Sequence, residues 1–360
     1  MNVLELKKMK KLRVGILGCG VVSSNWHIPA FMALKKTVDE IVLCDINPTL
    51  VKTVAKQFNL SKTYSDFSEM LKREKLDMVD ICTPPRTHPA LAIQAMESGC
   101  NVLLEKPMAV QLSDCDEMVR VSRKQSVSLC IVHNELFRPP VLKAKELIAQ
   151  GVIGKVMGMH WCRLTHREEY LDKENHWVHK LSGGLLEETG PHAVYATIAF
   201  LKNVKSVDIA AESNLKYPWA PFDYFNLALE CEGGIGSATI AHASNNYLAN
   251  ISIYGTEGVL NLDLQTMMLT CFKLGKTTMF SLGMSAMKSA GQIVKNVSLN
   301  AAKAAFARDS AMKVRGHSVE IERFVESIIN NQAPPVTAEE GREVIRVLEM
   351  LVTKLNQKYR

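Results

Sequence analysis

The chain has 360 residues, of which 47% are hydrophobic and 22% charged, with a net charge of +6. That is the composition of a globular protein long enough for two ordinary domains and their cores. It excludes a generally nucleic-acid-binding surface, and no apolar run approaches the ~20 residues that a helical membrane span requires.

Residues 11–17 read as a buried parallel strand. Lys7, Lys8, Lys10, Lys11 and Arg13 precede the apolar run 14–22 as they do in a secretory signal, and Leu17-Gly18-Cys19 imitates a lipoprotein cleavage site. A short buried strand that runs into a cofactor motif explains the same residues, so a cytoplasmic protein is expected. Gly18-Cys19-Gly20 is a tight turn, and residues 24–35 read as a helix. A second strand, 40–44, ends in Asp45. Helical and strand-like stretches then alternate: helix 48–58, helix 66–72, strand 78–82, helix 89–98, strand 101–104, helix 113–125, strand 128–132. This rhythm implies a doubly wound parallel sheet.

The pattern changes after about residue 135. A helix at 140–150, a strand at 156–164 and a helix at 191–201 precede six strand-like runs between 206 and 272. Their Gly-rich turns suggest a mostly antiparallel sheet. The expected fold is therefore α/β: an N-terminal Rossmann domain (1–135), a C-terminal α+β domain (136–335) and a C-terminal helix (336–360) packing back on the body. Residues 283–313 mix methionines, Ile293, Val294 and Val297 with lysines and small residues. Seven basic residues against the single acid Asp309 give 276–315 the net charge of the whole chain. Surface helices packing on the domain or on a subunit partner are preferred there to a mobile lid, and a lid to a membrane-surface helix; membrane contact is not expected. The segment can alternatively recognise an anionic substrate. The nine cysteines are scattered and never form Cys-x-x-Cys, which fits buried thiols in a reducing compartment, with no disulfide frame and no metal site.

Gly18 and Gly20 follow a strand and open a helix. The first glycine permits the turn, and the second lets the backbone approach a pyrophosphate at the helix N-terminus. Ser23 takes the third motif position, where a small residue still allows close packing. Asp45 lies 22 residues beyond Ser23, placed to accept hydrogen bonds from ribose hydroxyls. A 2′-phosphate would face its charge, so NAD is favoured over NADP.

Further motifs follow in order: Cys44-Asp45-Ile46-Asn47-Pro48, Cys82-Thr83-Pro84-Pro85-Arg86-Thr87-His88, Glu105-Lys106-Pro107, and Gly183-Gly184 with Gly190-Pro191-His192. Together with the glycine turn they resemble the Gfo/Idh/MocA oxidoreductases, the relatives of glucose–fructose oxidoreductase and inositol dehydrogenase. The resemblance spans nearly the whole chain and implies a cofactor set of Gly18, Gly20, Val21, Val22, Asp45, Thr83, Pro84, His88, Glu105 and Lys106. It assigns Lys106 the substrate oxygen and His192 the proton relay. The residue types suit those tasks: an ammonium stabilises a forming alkoxide, and an imidazole exchanges protons near neutrality.

Three positions depart from the family pattern. Glu188 stands where Asp is common, four residues before the histidine, and can support His192 or bind a hydroxyl. Tyr195 stands where a second Asp is common; on a helix it shares a face with His192. The Asn-x-Arg-Phe segment is altered to Asn134-Glu135-Leu136-Phe137, so only Asn134 carries over as a contact. Asn134, His176 and Tyr195 are the candidate substrate residues. The remaining histidines are expected to be structural.

The expected activity is hydride transfer between NAD(P) and a secondary alcohol or ketone of a sugar, cyclitol or sugar derivative. The alternatives are a glycosidase-type enzyme that recycles its NAD internally and a non-catalytic dinucleotide sensor. The expected partner is a sugar-like small molecule, with no nucleic acid, and the chain is expected to form a homo-oligomer, dimer or tetramer.

Overall fold

The computed structural model describes residues 11–359 except 167–170, 215–216, 218, 243, 274–277 and 307–315, and omits the side chains of 299–306. The chain divides into two compact units. One comprises Met1–Asn134 and Arg315–Ile345, the other Glu135–Val314 and Arg346–Arg360.

The first unit begins with β1 (Leu12–Leu17), then a π-helical turn over Ser23–His27 leads into α1 (Ile28–Ala33). There follow β2 (Val38–Cys44), α2 (Pro48–Phe58), β3 (Thr63–Tyr64), α3 (Phe67–Arg73) and β4 (Met78–Ile81). Then come α4 (His88–Glu97), β5 (Asn101–Leu104), α5 (Leu112–Gln125) and β6 (Leu129–Ile131). All six strands are parallel, in the order β3-β2-β1-β4-β5-β6. This is the Rossmann order, in which ligands bind at the carboxyl ends of the strands. Ile16, Val42, Val79, Ile81 and Leu103 are wholly buried, as strands covered on both faces require. Local chemistry starts the helices. Asn47 accepts hydrogen bonds from the Thr49 and Leu50 amides ahead of Pro48, and Asp66 accepts one from Glu69.

The second unit holds α6 (Pro139–Ala149), β7 (Val156–Leu164), α7 (Leu185–Leu201), β8 (Val204–Glu212) and β9 (Tyr224–Cys231). It continues with β10 (Gly234–Ala241), β11 (Leu248–Gly255), β12 (Val259–Asp263), β13 (Met268–Phe272) and α8 (Met279–Phe306). Its seven strands run β13-β12-β11-β7-β10-β9-β8. Every neighbouring pair is antiparallel except β7 with β10. Trp161, Leu227, Ile240 and Ile251 are buried on one face of this sheet, the face against which α7 packs. The other face carries polar pairs, His160 with Ser237, Thr239 with Asn226 and Ser252 with Asn261, beside the exposed Ile235 and Tyr254.

Two sequence expectations change. The helix expected over 191–201 begins six residues earlier, so Pro191 lies inside α7 and not in its first turn. Gly184, at φ +55°, sets the earlier start, and the helix tolerates the missing proline donor. The remaining helices are α9 (Gly316–Ile329) and α10 (Ala338–Tyr359). Helix α9 groups with the first unit, whereas the sequence reading places 316–335 in the second. Its Glu320 accepts the His133 amide at 2.8 Å, and Gly316 packs directly on the Asn134 backbone.

Candidate active site

In the first unit, three turns at the carboxyl edge of the sheet form a candidate cofactor site. The Gly18 amide donates to the Cys44 carbonyl at 2.8 Å, and its φ is +94°. A Cβ at Gly18 would lie 2.8 Å from the Cys82 carbonyl oxygen, so glycine is required by packing. A Cβ at Gly20 would meet nothing within 4 Å. The backbone there is uncovered, and Val21 and Val22 beside it are exposed. Uncovered backbone at a helix start is what a pyrophosphate needs. Ser23 donates its hydroxyl to the Gly20 carbonyl at 3.1 Å, which explains a hydroxyl in the third motif position. Asp45 accepts the Cys19 and Asn47 amides, each at 2.8 Å, so its carboxylate also fixes the glycine turn.

The second and third turns are joined by His88. Its ring is buried, with Nε2 2.8 Å from the Thr83 carbonyl and Nδ1 3.0 Å from that of Pro107. His88 is thus a brace between the Thr83-Pro84 turn and the Lys106-Pro107 turn, whose peptide bond is cis. Burial pushes its pKa down. Pro84 is exposed, and Thr83 and Lys106 are half-buried.

Beneath Lys106 lies a charged cluster. His27 is fully buried, its Nδ1 2.9 Å from Asp80 and its Nε2 2.9 Å from Glu105. Burial opposes its charge, but the Asp80 carboxylate outweighs this and holds the imidazole well above its ordinary pKa. Burial also opposes the Glu105 charge, yet the hydrogen bond from His27 and its charge bring Glu105 down to about 2. The other Glu105 oxygen accepts the Lys106 amide at 3.0 Å. His317 Nε2 stands 3.8 Å from Glu105, and its ring stacks on Trp26, with centroids 6.0 Å apart. Asn134 Nδ2 reaches His317 Nδ1 at 3.5 Å. His27, Glu105 and His317 bring their ligand atoms close enough for a metal ion, but the imidazolium supplies the positive charge that the carboxylates need. None of His27, Asp80 and His317 figures among the sequence candidates. The signal available was His27 itself, an ionisable residue amid the apolar helix that follows the glycine turn.

The second unit supplies a different cluster. Helix α7 carries Glu188, His192 and Tyr195. His192 Nδ1 is 2.6 Å from the Tyr195 hydroxyl, and that oxygen accepts the Glu135 amide at 3.3 Å. The Glu135 carboxylate lies 3.6 Å from the same His192 nitrogen. Trp161 donates to Glu135 at 3.2 Å, and Arg163 forms an ion pair with it. Burial penalises the Glu135 charge, but Arg163, His192 and Arg138 overcome the penalty and hold it at about 2. Thus an ionised carboxylate, an imidazole and a phenol adjoin one another. The i, i+3 spacing on α7 brings Tyr195 onto His192 as expected. Glu135, which the sequence reading passes over, is the carboxylate beside the histidine. Glu188 adds its charge to the surroundings of His176 and His242. His176 caps the turn Trp177–Lys180, its Nδ1 accepting the Val178 amide at 3.4 Å.

Residues 12–133 match an oxidoreductase family described by its NAD-binding Rossmann fold, and residues 141–261 match the C-terminal domain of the same family. The chain belongs to the Gfo/Idh/MocA oxidoreductases. D-apiose dehydrogenase of Paraburkholderia graminis is 24% identical over 71% of this chain and 68% of its own length. A 2,7-anhydro-N-acetylneuraminate hydratase of Mediterraneibacter gnavus is 30% identical over 49% of this chain and 46% of its own. The chain therefore spans about two thirds of the first relative and about half of the second. The WlbA dehydrogenase of Bordetella pertussis, solved with NADH and UDP-GlcNAcA, shares the fold. Its TM-score is 0.78 at 20% identity, over 97% of this chain and 96% of that one.

As a Gfo/Idh/MocA member the chain is an oxidoreductase with an NAD-binding Rossmann domain. Among the described residues, no helix is long and apolar enough to cross a membrane.

Proposed function

We propose that this Gfo/Idh/MocA enzyme catalyses reversible hydride transfer between NAD and a secondary alcohol or ketone of a sugar, cyclitol or sugar derivative. The uncovered backbone at Gly20 fits a dinucleotide, held by Gly18, Gly20, Val21, Val22, Asp45, Thr83 and Pro84 and by Glu105 and Lys106. His88 holds the turns in place. Asp45 favours NAD over NADP, because a 2′-phosphate would meet its carboxylate. When bound, NAD supplies the hydride acceptor.

Lys106 donates to the substrate oxygen and stabilises negative charge there. His192 takes the hydroxyl proton as the carbon is oxidised. Ionised Glu135 favours the resulting imidazolium, and the Tyr195 hydroxyl fixes the ring. Glu188 supports the histidine from one turn earlier, while Asn134 and His176 contact the substrate. The relay of His192, Tyr195 and Glu135 is the observation that carries this reading, because a non-catalytic sensor needs no such group. The sugar class rests on the relative named for D-apiose and the WlbA structure with a sugar nucleotide. A reducing cytoplasm suits nine cysteines with no disulfide among them.

Lys106→Met and His192→Ala test the proposal. Each is expected to lower kcat by a factor of about 100 or more, and His192→Ala should do so while NADH binding persists. Dehydrogenase rates near wild type in both would sink it. The relative named a hydratase favours a second reading, a redox-neutral reaction with internally recycled NAD. A steady rise of reduced nicotinamide during turnover excludes that alternative.

A further inference from the structure

Helix α8 is built inside out. Its buried and half-buried positions over residues 281–298 are Ser281, Ser285, Ser289, Gln292 and Asn296, three or four residues apart and all polar. Two of them clamp the backbone of β13, and a third holds the residue that follows it. Gln292 accepts the Cys271 amide at 2.7 Å and donates to its carbonyl at 3.1 Å. Asn296 donates to the Leu269 carbonyl at 2.8 Å, and Ser285 to that of Lys273 at 3.1 Å. Because β13 is the edge strand, these groups lack a strand partner, and α8 side chains stand in for one.

The opposite face is apolar and open. Phe280, Met287 and Val294 recur every seven residues and are 79%, 63% and 65% exposed, with Ile293 and Val297 beside them. Lys288 and Lys295, also exposed and seven apart, border this strip. The sequence of α8 contains no acidic residue. A surface helix ordinarily turns its apolar stripe toward the protein. Here the hydrogen-bonding stripe faces inward, so the apolar strip faces whatever lies outside.

Charge selects the occupant. A second copy of α8 laid on the first would bring the bordering lysines of both helices together, with no carboxylate in either to offset them. An anionic lipid surface complements both features. The apolar strip enters the acyl boundary, and the lysines reach the headgroup phosphates. We infer that α8 rests its outward strip on an anionic bilayer and holds the enzyme at a membrane face without spanning it. In sequence, residues 283–313 show only that lysines and apolar residues are mixed. The inference departs from the sequence expectation of no membrane contact. The inference is independent of the hydride-transfer reading.

The full chain is incubated with vesicles of phosphatidylcholine, or of phosphatidylcholine mixed with phosphatidylglycerol, and sedimented. It is expected to co-sediment with the anionic vesicles alone and to be released by high salt. Met287→Asp with Val294→Asp should abolish the association. Lys288→Glu and Lys295→Glu should each weaken partitioning about fivefold or more, from ~1 kcal/mol per cation near such a surface. These side chains are exposed, so thermal midpoints and NADH binding should stay at wild-type values. A wild-type chain that remains in the supernatant, equal binding to neutral vesicles, or unchanged partitioning of the variants overturns the inference. So does a fall in solution mass on Met287→Asp, which would make a second copy the occupant.

Discussion

Glu135 shows how one residue can govern another's proton. Its carboxylate stays ionised because Arg163 and the Trp161 N–H face it in a buried site, and that fixed charge lies 3.6 Å from His192. Glu135→Gln keeps the volume and removes the charge. Its kcat is expected to fall about tenfold or more with KM little changed. The limb of the pH–rate profile that reports His192 should move to lower pH, because the imidazolium loses its partner. A merely structural role for Glu135 would leave that limb in place. Arg163 is then left without its carboxylate, so about 3 kcal/mol of stability should also be lost. Glu135 was hard to read in the sequence because Trp161 and Arg163 lie on β7 and His192 on α7, at separations no local spacing reveals. A lone acid at the end of the apolar run 129–137 and a lone arginine within β7 were the available signals.

At the scale of elements, the glycine turn separates packing from binding. Gly18→Ala would strain a positive φ and press a methyl against the Cys82 carbonyl. A loss of about 1–3 kcal/mol in stability is expected, read from denaturant melts. Gly20→Ala projects its methyl into open space. Its melt should match wild type while NADH affinity falls at least tenfold, as measured by nicotinamide fluorescence; unchanged affinity would remove the pyrophosphate from this turn. The strands and helices of the first unit were legible because apolar runs bounded by turn residues report buried parallel strands directly. The start of α7 was not, because Pro191 looks like a first-turn proline and the signal that matters, the positive φ at Gly184, is conformational.

At the scale of the molecule, the buried cluster around His27 sets a pH response. The folded-state pKa of His27 is raised, so its contribution is complete below about 6.5 and lost as pH climbs through the raised value. Glu105 is depressed to about 2 from 4.5, so its contribution holds above 4.5 and fades as pH falls toward 2. His27→Asn removes the cation and leaves Asp80 and Glu105 buried together. Between about pH 6 and pH 5, where the wild-type contribution of His27 is already complete, the thermal midpoint of that variant should rise with acid, since protonating one carboxylate relieves the pair, while wild type changes little. Parallel curves for the two proteins would refute an imidazolium between the carboxylates. The cluster escaped the sequence because its members, from His27 to His317, are dispersed over most of the chain. The two-domain plan, by contrast, was visible in the shift from alternating helices and strands to consecutive strands.

The return of residues 315–345 to the first unit has a consequence for how the protein is made. The Glu320 carboxylate that receives the His133 amide, and the Thr337 backbone that bridges to Cys130, leave the ribosome only after the sheet of the second unit. The nucleotide-binding half, although its sheet is translated first, cannot close its own hydrogen bonds until the whole of 135–314 has been made. The other half likewise waits for the last turns of α10. Neither half is a contiguous stretch that can be cut free at a linker, so neither can complete its fold ahead of the other.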